Sequence, residues 1–439
     1  MRMPDRSLFG PAANFYNPTH PTEAGIPGTG DEMCISGTSG DGPQTFRKEC
    51  VTMRIVKSLS TLLLSVCLLT PILPGSAEGG DDALSLLTLN VGKADCLLLR
   101  HGGLTYMVDT GTAESWGAVS AALRANGITR LDGVILTHTD KDHAGGLPAL
   151  AASGVEVGAW YSSAYYCEVT EKKHPAILAA AQRGQSVRWL KAGDSLPFGD
   201  GTLRVIGPTV LFEDKENNNS VVLLAEAAGG RMLLCGDMEE PEEKLLLAAG
   251  AVPNCDVLKV GHHGEGDATC RKFALAVMPE AAVISTDSVS EPDTPDPKVL
   301  SVLRGVGAEI WLTEETKGGV LAEIRSGRLT CRKAEWTLPD PVGGVVISAK
   351  DNGADTVTLR NGGEAAADLS GWYIISQRGG EIFVLPEGTV LAAGASLTVG
   401  TETAGYGDLI WPDTNVWHNN KDDAAVLYDA CGREMDRAD

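Results

Sequence analysis

A short apolar segment followed at once by a dense set of metal-ligating side chains constrains this chain more than any other feature. Gly133–Thr137 has the composition of a buried strand, and Thr137–Gly146 has the sequence THTDKDHAGG. Its ligand-type side chains are His138, Asp140, Asp142 and His143. Neutral imidazole and carboxylate groups are the ligands of hydrolytic divalent metals. The spacing therefore predicts half of a metal centre at the end of a strand.

Two further apolar segments are also followed by side chains of the types that bind metals. Arg231–Cys235 leads to Asp237 after one glycine, and Asp256–Val260 leads to the adjacent His262 and His263. In α/β enzymes, active sites gather at the ends of strands. The pattern predicts that Asp237 and one histidine of the pair join the site formed by the first segment.

Together these segments resemble the metallo-β-lactamase superfamily, and within it the hydrolase-like domain of the ComEC/Rec2 competence proteins. The resemblance spans residues 83–333 in the order expected of that family. The segments that carry it are Leu89–Leu98, Met107–Gly111, Thr137–Gly146, Asn217–Val222, Cys235–Asp237 and Leu258–Gly264. It implies an α/β fold in which two sheets pack between helices, the αββα sandwich, and the activity of a metal-dependent hydrolase.

The resemblance also assigns roles to the ligand-type side chains. In the family motif His-x-His-x-Asp-His, the first two histidines serve one metal and the Asp-His pair serves the other. Asp140 stands where the second histidine usually is, as is usual in the ComEC-like branch, and Asp237 corresponds to a carboxylate that bridges two metals. Asp142 and Asp237 are the predicted catalytic residues. The predicted metal ligands are His138, Asp140, Asp142, His143, Asp237, and the pair His262 and His263, of which one is expected to face the metal.

Two positions depart from the family pattern. The superfamily's middle histidine is not visible, and Asn217–Ser220 occupies the corresponding region with weaker ligands. Thr294 lies where the ComEC-like branch usually has a histidine before the proline of its last helix. These changes remove a ligand or a donor, so a metal-free site remains an alternative.

The predicted ligand set is rich in oxygen. Three carboxylates and two or three imidazoles make a harder site than histidines alone, so Mn²⁺ and Mg²⁺ compete with Zn²⁺. We expect one or two divalent ions, Zn²⁺ or Mn²⁺. A metal lowers the pKa of its bound water to about 7, which supplies hydroxide at neutral pH. Because phosphodiester cleavage is the activity proposed for ComEC-like domains, the preferred function is a phosphodiesterase or nuclease that acts on extracellular DNA.

Two other functions fit the same residues. The same fold hydrolyses phosphorylcholine and other esters, so an ester hydrolase of cell-surface polymers is the first alternative. The second is a non-catalytic cell-surface binding protein with a degenerate metal site. The net charge of −22 opposes general binding to nucleic acid. Residues 1–77 contain as many basic as acidic residues, so the excess negative charge lies after them.

The N-terminal region predicts export. Met53–Lys57 is a short basic segment, Thr61–Thr70 is apolar and Pro74–Ala77 supplies small residues for cleavage, as in a signal peptide over residues 53–77. The apolar segment is too short to span a membrane comfortably. Residues 1–52 lack periodicity and predict a disordered leader or a misassigned start codon. We therefore expect a secreted or cell-surface protein, without a transmembrane partner.

A second domain is predicted beyond the Pro- and Gly-bearing segment Leu338–Gly344. Its short alternating strands resemble a lamin tail domain over residues 343–435. The segments that carry this resemblance are Val357–Asn361, Asp368–Trp372, Leu385–Thr389, Leu391–Gly394 and Val426–Asp429. It implies an immunoglobulin-like all-β sandwich, whose ligand would be an unknown component of the cell surface. Trp411 and Trp417 either pack in its core or form a ligand surface.

Overall fold

The computed structural model describes residues 82–166, 174–213, 216–419 and 421–439. The predicted leader over residues 1–52 and the predicted signal peptide over residues 53–77 lie outside the described residues. Within the described part of the chain, no helix has both the length and the apolar character that a membrane crossing requires.

The first part of the described chain builds two large sheets and the helices that cover them. The strands are β1 (Leu84–Leu89), β2 (Leu97–His101), β3 (Leu104–Val108), β4 (Arg130–Leu131), β5 (Gly133–Leu136), β6 (Glu156–Val157), β7 (Trp160–Ser163), β8 (Val187–Leu190), β9 (Ser195–Leu196), β10 (Thr202–Gly207), β11 (Val222–Ala227), β12 (Gly230–Leu234), β13 (Val257–Lys259), β14 (Ala281–Ile284), β15 (Glu309–Leu312), β16 (Gly319–Arg325) and β17 (Arg328–Ala334). The helices are α1 (Trp116–Ala125), α2 (Lys141–Ala144), α3 (Leu147–Ala152), α4 (Pro175–Gln182), α5 (Glu240–Ala248), α6 (Arg271–Val277) and α7 (Pro297–Gly305).

The two large sheets are mixed. The first has eight strands in the order β17-β16-β1-β2-β3-β5-β7-β8, and the second has seven in the order β15-β14-β13-β12-β11-β10-β9. Strands β3, β5, β7 and β8 are parallel neighbours in the first sheet, as are β12, β13, β14 and β15 in the second. Polar residues that follow parallel strands therefore emerge at one edge of each sheet.

Three apolar clusters hold these layers together. Leu86 and Tyr106 of the first sheet share one cluster with Leu223 and Val257 of the second, so the sheets face each other. A second cluster packs helices α5, α6 and α7 on the outer face of the second sheet. A third packs α1, α3 and α4 on the outer face of the first. This arrangement confirms the predicted αββα sandwich.

The sequence predicts three helices here: Trp116–Asn126 from its apolar spacing, Glu242–Ala249 between Pro241 and Gly250, and Pro297–Arg304 capped by Asp296. The structure confirms all three, with small shifts at their ends. The helix predicted over Trp116–Asn126 ends at Ala125, before Gly127 with its positive φ of 63°. Helix α5 begins at Glu240, two residues before the predicted start, because a proline fits the first turn of a helix. The predicted cap of α7 is confirmed, since the Lys298 backbone N–H donates to the Asp296 carboxylate at 2.6 Å.

The C-terminal part is built from short strands alone. These are β18 (Val345–Asp351), β19 (Thr356–Asn361), β20 (Ala367–Asp368), β21 (Tyr373–Ser376), β22 (Ile382–Val384), β23 (Val390–Leu391), β24 (Ser396–Thr401), β25 (Leu409–Trp411), β26 (Ala425–Tyr428) and β27 (Glu434–Ala438). Two four-stranded sheets, β18-β19-β24-β25 and β22-β21-β26-β27, enclose a common core that contains Trp372, Trp411 and Trp417. The predicted all-β sandwich is confirmed, and Trp411 and Trp417 are buried within it.

The β-sandwich packs directly on the αββα sandwich. Tyr373 and Ile375 of strand β21 belong to the same apolar cluster as helices α1 and α3. The contact is close enough to require glycine, because a Cβ atom at Gly117 of α1 would lie 1.9 Å from the Cα atom of Gly432. The sequence predicted two domains but not this contact.

Candidate metal centre

The run from His138 to His143 lies where strand β5 ends and the short helix α2 begins. His138 and His143 are fully buried, whereas Asp140 and Asp142 are partly exposed. The glycines that end the run let it pack closely against the exit of strand β3. At Gly146 a Cβ atom would lie 2.4 Å from the Thr110 carbonyl oxygen, so a larger residue would displace the loop.

Asp237, which follows strand β12, lies at the middle of the site. Its Oδ1 atom lies 3.1 Å from His143 Nε2. Its Oδ2 atom lies 3.5 Å from His263 Nε2 and 3.8 Å from His138 Nε2. Asp237 therefore lies next to all three buried imidazoles, as expected of a carboxylate shared by the ligands of two ions.

The remaining predicted ligands divide between the two sides of Asp237. Asp142 Oδ2 lies 3.4 Å from His263 Nε2 and 3.9 Å from His143 Nε2. On the other side, Asp140 Oδ2 lies 3.6 Å from His138 Nε2. The structure thus brings together a group of four, Asp142, His143, Asp237 and His263, and places His138 and Asp140 beside it.

Several buried polar atoms at this point lie 3.1–3.8 Å from an oppositely charged group but make no well-aligned hydrogen bond to any residue that the structure describes. They are His138 Nε2, His143 Nε2, His263 Nε2 and Asp237 Oδ1. Buried polar atoms are normally paired, because an unpaired one costs free energy. Imidazole nitrogens and carboxylate oxygens that converge without well-aligned hydrogen bonds fit a divalent metal ion.

The adjacent histidines point in different directions, and of the two only His263 belongs to the group around Asp237, whereas His262 lies with Glu239 and Asp267. Both have positive φ angles, 49° for His262 and 51° for His263, a conformation that is uncommon outside glycine. His263 is buried and faces Asp142 and Asp237. The ring of His262 instead makes contacts with Asp267 at 2.9 Å and Asn217 at 3.1 Å. The two residues have similar φ angles, so the direction of each ring follows from the packing of the whole turn, and the sequence left the choice open.

The charges at the centre stabilise one another. Burial alone would raise the pKa of Asp237, but His143 and His263 hold it well below its usual range. Burial alone would lower the pKa of each imidazole, yet Asp237 and neighbouring carboxylates raise the pKa of His143 well above its usual range and that of His263 to about 9. The protons on His143 and His263 supply part of the positive charge that a metal ion would supply. Metal binding would release these protons.

Asp109 orients one of the central imidazoles. Its Oδ2 atom lies 2.8 Å from His143 Nδ1, so the opposite nitrogen of that ring, Nε2, faces Asp237. The Thr137 backbone N–H and hydroxyl both donate to the same carboxylate, at 2.7 and 2.8 Å. Carboxylates that fix metal-binding histidines in this way usually raise metal affinity. Asp109 lies in Met107–Gly111, a segment that resembles the family, but no role was predicted for it from the sequence.

A buried ion pair lies behind His263. Lys259 Nζ lies 2.8 Å from Asp95 Oδ2, with the two side chains 0% and 1% exposed. Burial alone would raise the pKa of Asp95, but Lys259 and His263 hold it below its usual value. The other oxygen, Asp95 Oδ1, lies 3.8 Å from His263 Nδ1. Both residues lie in family-like segments, and neither was predicted to be part of the site.

The Asn217–Ser220 segment has a supporting role in the structure. The Asn218 side-chain oxygen accepts from the backbone N–H groups of Glu239 and Glu242 at 3.2 and 3.3 Å, where helix α5 starts. The Ser220 hydroxyl lies 3.3 Å from His138 Nδ1 and accepts from the Asp237 backbone N–H at 3.1 Å. The segment thus supports His138 and Asp237, and its position beside them explains why it aligns with a region that usually contains a ligand.

Thr294, at the second unusual position, is buried beside the turn that carries His263. Its hydroxyl donates to the Glu291 carbonyl oxygen at 3.1 Å. The next residues contact that turn, since the Asp296 backbone N–H donates to the Gly264 carbonyl oxygen at 2.9 Å. Thr294 therefore has a local structural partner.

Comparison with known families agrees with this geometry. The profile of the metallo-β-lactamase superfamily matches residues 89–288, and that of the lamin tail domain matches residues 339–439. The chain contains a metallo-β-lactamase superfamily domain followed by a lamin tail domain. The first domain has the fold of metal-dependent hydrolases, and this superfamily typically uses divalent metal ions.

The metallo-β-lactamase domain has competence proteins among its relatives. ComE operon protein 3 of Bacillus subtilis (strain 168) is 31% identical over 258 residues, which are 55% of this chain and 32% of that protein. Competence protein ComA of Neisseria gonorrhoeae is 28% identical over 257 residues, 56% of this chain and 34% of that protein. The chain thus spans about a third of the length of these relatives.

A solved structure shows a more distant likeness. The metallo-β-lactamase fold protein YhfI from Bacillus subtilis is 14% identical, with a TM-score of 0.38, and the match covers 55% of this chain and 100% of that one.

Proposed function

We propose that this chain is an exported, metal-dependent phosphodiesterase of the ComEC-like type. The observation that carries the proposal is the convergence on one point of three imidazole nitrogens and a carboxylate oxygen, all buried and without a well-aligned hydrogen bond to the described residues. Such a set is costly unless a cation binds it. Zn²⁺ or Mn²⁺ suits its mixture of nitrogen and oxygen atoms.

The side chains would share one or two metal ions. Asp142, His143 and His263 would hold one, His138 and Asp140 would hold the other, and Asp237 would contact both. A bound divalent ion would acidify a water molecule and polarise an oxygen of the substrate. Asp109 would keep His143 in the tautomer whose Nε2 faces the ion, and Ser220 would restrain His138 in the same way.

The oxygen-rich ligand set favours a phosphodiester over other esters, since hard carboxylate ligands suit the ions that commonly bind phosphate. The substrate would be extracellular DNA or a surface polymer that contains phosphodiesters. The second candidate function is hydrolysis of phosphorylcholine or other esters on surface polymers. The net charge of −22 favours this candidate over a nuclease.

Metal content is the first test. We expect inductively coupled plasma mass spectrometry to find about one or two ions per purified chain, and few or none in Asp142→Ala/His143→Ala. The matched control is His418→Ala/Asp422→Ala, which also removes one histidine and one aspartate, both exposed in the lamin tail domain. Metal at the level of the double variant in the unaltered protein, after Zn²⁺ or Mn²⁺ is supplied, would contradict the proposal.

Activity is the second test. The metal-loaded protein should hydrolyse bis(p-nitrophenyl) phosphate faster than p-nitrophenyl acetate, and the loss of metal in the site variant should abolish both reactions. Preference for the carboxylic ester would contradict the phosphodiesterase and favour the carboxylic-ester part of the second candidate function. Release of choline phosphate from a phosphorylcholine-bearing polymer tests its other part. Export is tested separately, by N-terminal sequencing of the mature protein, which should begin after Ala77.

A further inference from the structure

A cleft of about 940 Å³ lies between the two domains, and Asp142 of the metal centre is part of its lining. One wall comes from the metallo-β-lactamase domain and includes Lys141, Asp142 and Pro148. The opposite wall comes from the lamin tail domain, from the turn 377–381 after strand β21 and from residues 410–413 at the end of strand β25. Asp142 lines the cleft and also lies 3.4 Å from His263 Nε2, so the cleft begins at the edge of the metal centre.

Direct packing between the two domains fixes the positions of the two walls of the cleft. Helix α3, on the metallo-β-lactamase side, packs against strand β22 of the lamin tail domain. Val384 of that strand shares an apolar cluster with Leu147 and Leu150 of the helix. The Gly117 and Gly432 backbones also meet without room for a side chain. The cleft is therefore part of the packed structure of the molecule.

Carboxylate and amide side chains make up most of the polar lining of the cleft. They include Glu114, Gln182, Gln377, Glu381 and Asp413. Carboxylates accept hydrogen bonds, and amides both donate and accept, so together they match the hydroxyl groups of polyols and sugars. Apolar faces lie between them, and Ile410 is 45% exposed. The pattern of a few polar groups among apolar ones is typical of ligand clefts.

The same lining lacks the stacking surface that nucleic acid uses. Charge does not separate nucleic acid from a polyol phosphate, because each carries about one negative charge per unit, and Lys141 and Arg378 offer phosphate contacts to either. Single-stranded nucleic acids in addition stack their bases on exposed aromatic rings. The aromatic residues of the lining, Phe383 and Trp411, are 8% and 3% exposed and pack on each other. They offer no open ring face comparable to a stacking platform.

We propose that this cleft binds the substrate, and that the substrate is a hydroxyl-rich polymer joined by phosphodiesters, such as a chain of polyol or sugar phosphates. The scissile phosphodiester would lie at the metal centre, and neighbouring units would lie between the two walls. The lamin tail domain then determines specificity as part of the enzyme. This inference rests on the proposed phosphodiesterase function and selects among its substrates.

The test compares two glutamate substitutions in the lamin tail domain. Ile410→Glu places a carboxylate on the cleft wall, whereas Val390→Glu, at a residue 60% exposed, places the same charge outside the cleft. Hydrolysis of poly(glycerol phosphate) is measured against that of bis(p-nitrophenyl) phosphate. We expect the ratio of the two kcat/KM values to fall about tenfold in Ile410→Glu and to stay unchanged in Val390→Glu, because only the polymer extends along the wall.

Other outcomes separate this inference from the function on which it rests. An equal ratio in both variants and the unaltered protein would overturn the inference and leave the phosphodiesterase function intact. Faster cleavage of single-stranded DNA than of poly(glycerol phosphate), with equal numbers of phosphates, would overturn the proposed substrate class. If no phosphodiester is cleaved, binding of fluorescent poly(glycerol phosphate) still tests the cleft, since binding weakened only in Ile410→Glu supports it and binding unaffected by either variant refutes it.

Discussion

Replacing Lys259 by methionine is expected to destabilise the folded chain strongly. Lys259 Nζ lies 2.8 Å from Asp95 Oδ2, and the two side chains are almost fully buried. Methionine fills a similar volume but leaves the Asp95 carboxylate without its cation. Removing one partner of a buried ion pair costs about 3–5 kcal/mol, because the remaining charge stays in a medium of low dielectric constant. We therefore expect a loss of that size in the free energy of unfolding.

Urea denaturation measures this loss, with chelator present so that bound metal does not add to stability. Asp95→Asn/Lys259→Met removes both charges and should recover most of the lost free energy. Lys244→Met is the matched control, since its ion pair with Glu240 lies at the surface and its loss should barely move the midpoint. A loss below about 1 kcal/mol in Lys259→Met, the range of a surface pair, would refute the reasoning. So would a double variant as unstable as the single one.

Three further predictions follow from the same region. Asp109→Asn removes the carboxylate that orients His143, so metal affinity should fall about 10–100-fold in a chelator competition assay. His263→Ala should lose bound metal, whereas His262→Ala, whose ring faces Asp267, should retain it when metal content is measured. Burial raises the pKa of Glu243 to about 7. In the folded chain Glu243 therefore keeps a proton that it releases at about pH 4.3 in the unfolded chain. The stabilisation that this proton provides is lost as pH rises through about 7. As pH rises from about 5 to about 8, the free energy of unfolding of Glu243→Gln should increase relative to that of the unaltered protein. Urea denaturation at each pH measures this difference, and a difference independent of pH would count against the assignment.

The sequence predicted the local parts of the site well, because each depends on a few consecutive residues. A strand that ends in HTDKDH places its ligands by local geometry alone, and the structure brings His138, Asp142 and His143 to one place. The sequence does not show whether His262 or His263 faces Asp237, because the direction of each ring depends on how the turn packs.

The supporting residues were harder to predict because their partners are distant in the chain. Asp109 reaches His143 only because strands β3 and β5 are neighbours and because Asp109 has a positive φ of 58°. Asp95 meets Lys259 only across the two facing sheets. Their types and segments matched the family, but a carboxylate and a lysine at a strand end have many possible roles. Only the packed structure shows which partner each one has.

The docking of the lamin tail domain did have a signal in the sequence, in strand β21. A strand of an antiparallel sheet with one solvated face normally alternates apolar and polar residues. Trp372–Ile375 is instead apolar at every position. Trp372 and Ile374 fill the core of the β-sandwich, while Tyr373 and Ile375 pack against helices α1 and α3. The uninterrupted run thus indicates that both faces of β21 are covered. The apolar run does not show which surface covers the second face of β21. That surface includes helix α1, which fits there because Gly117 has no side chain. A glycine within a helix does not indicate which residue packs against it.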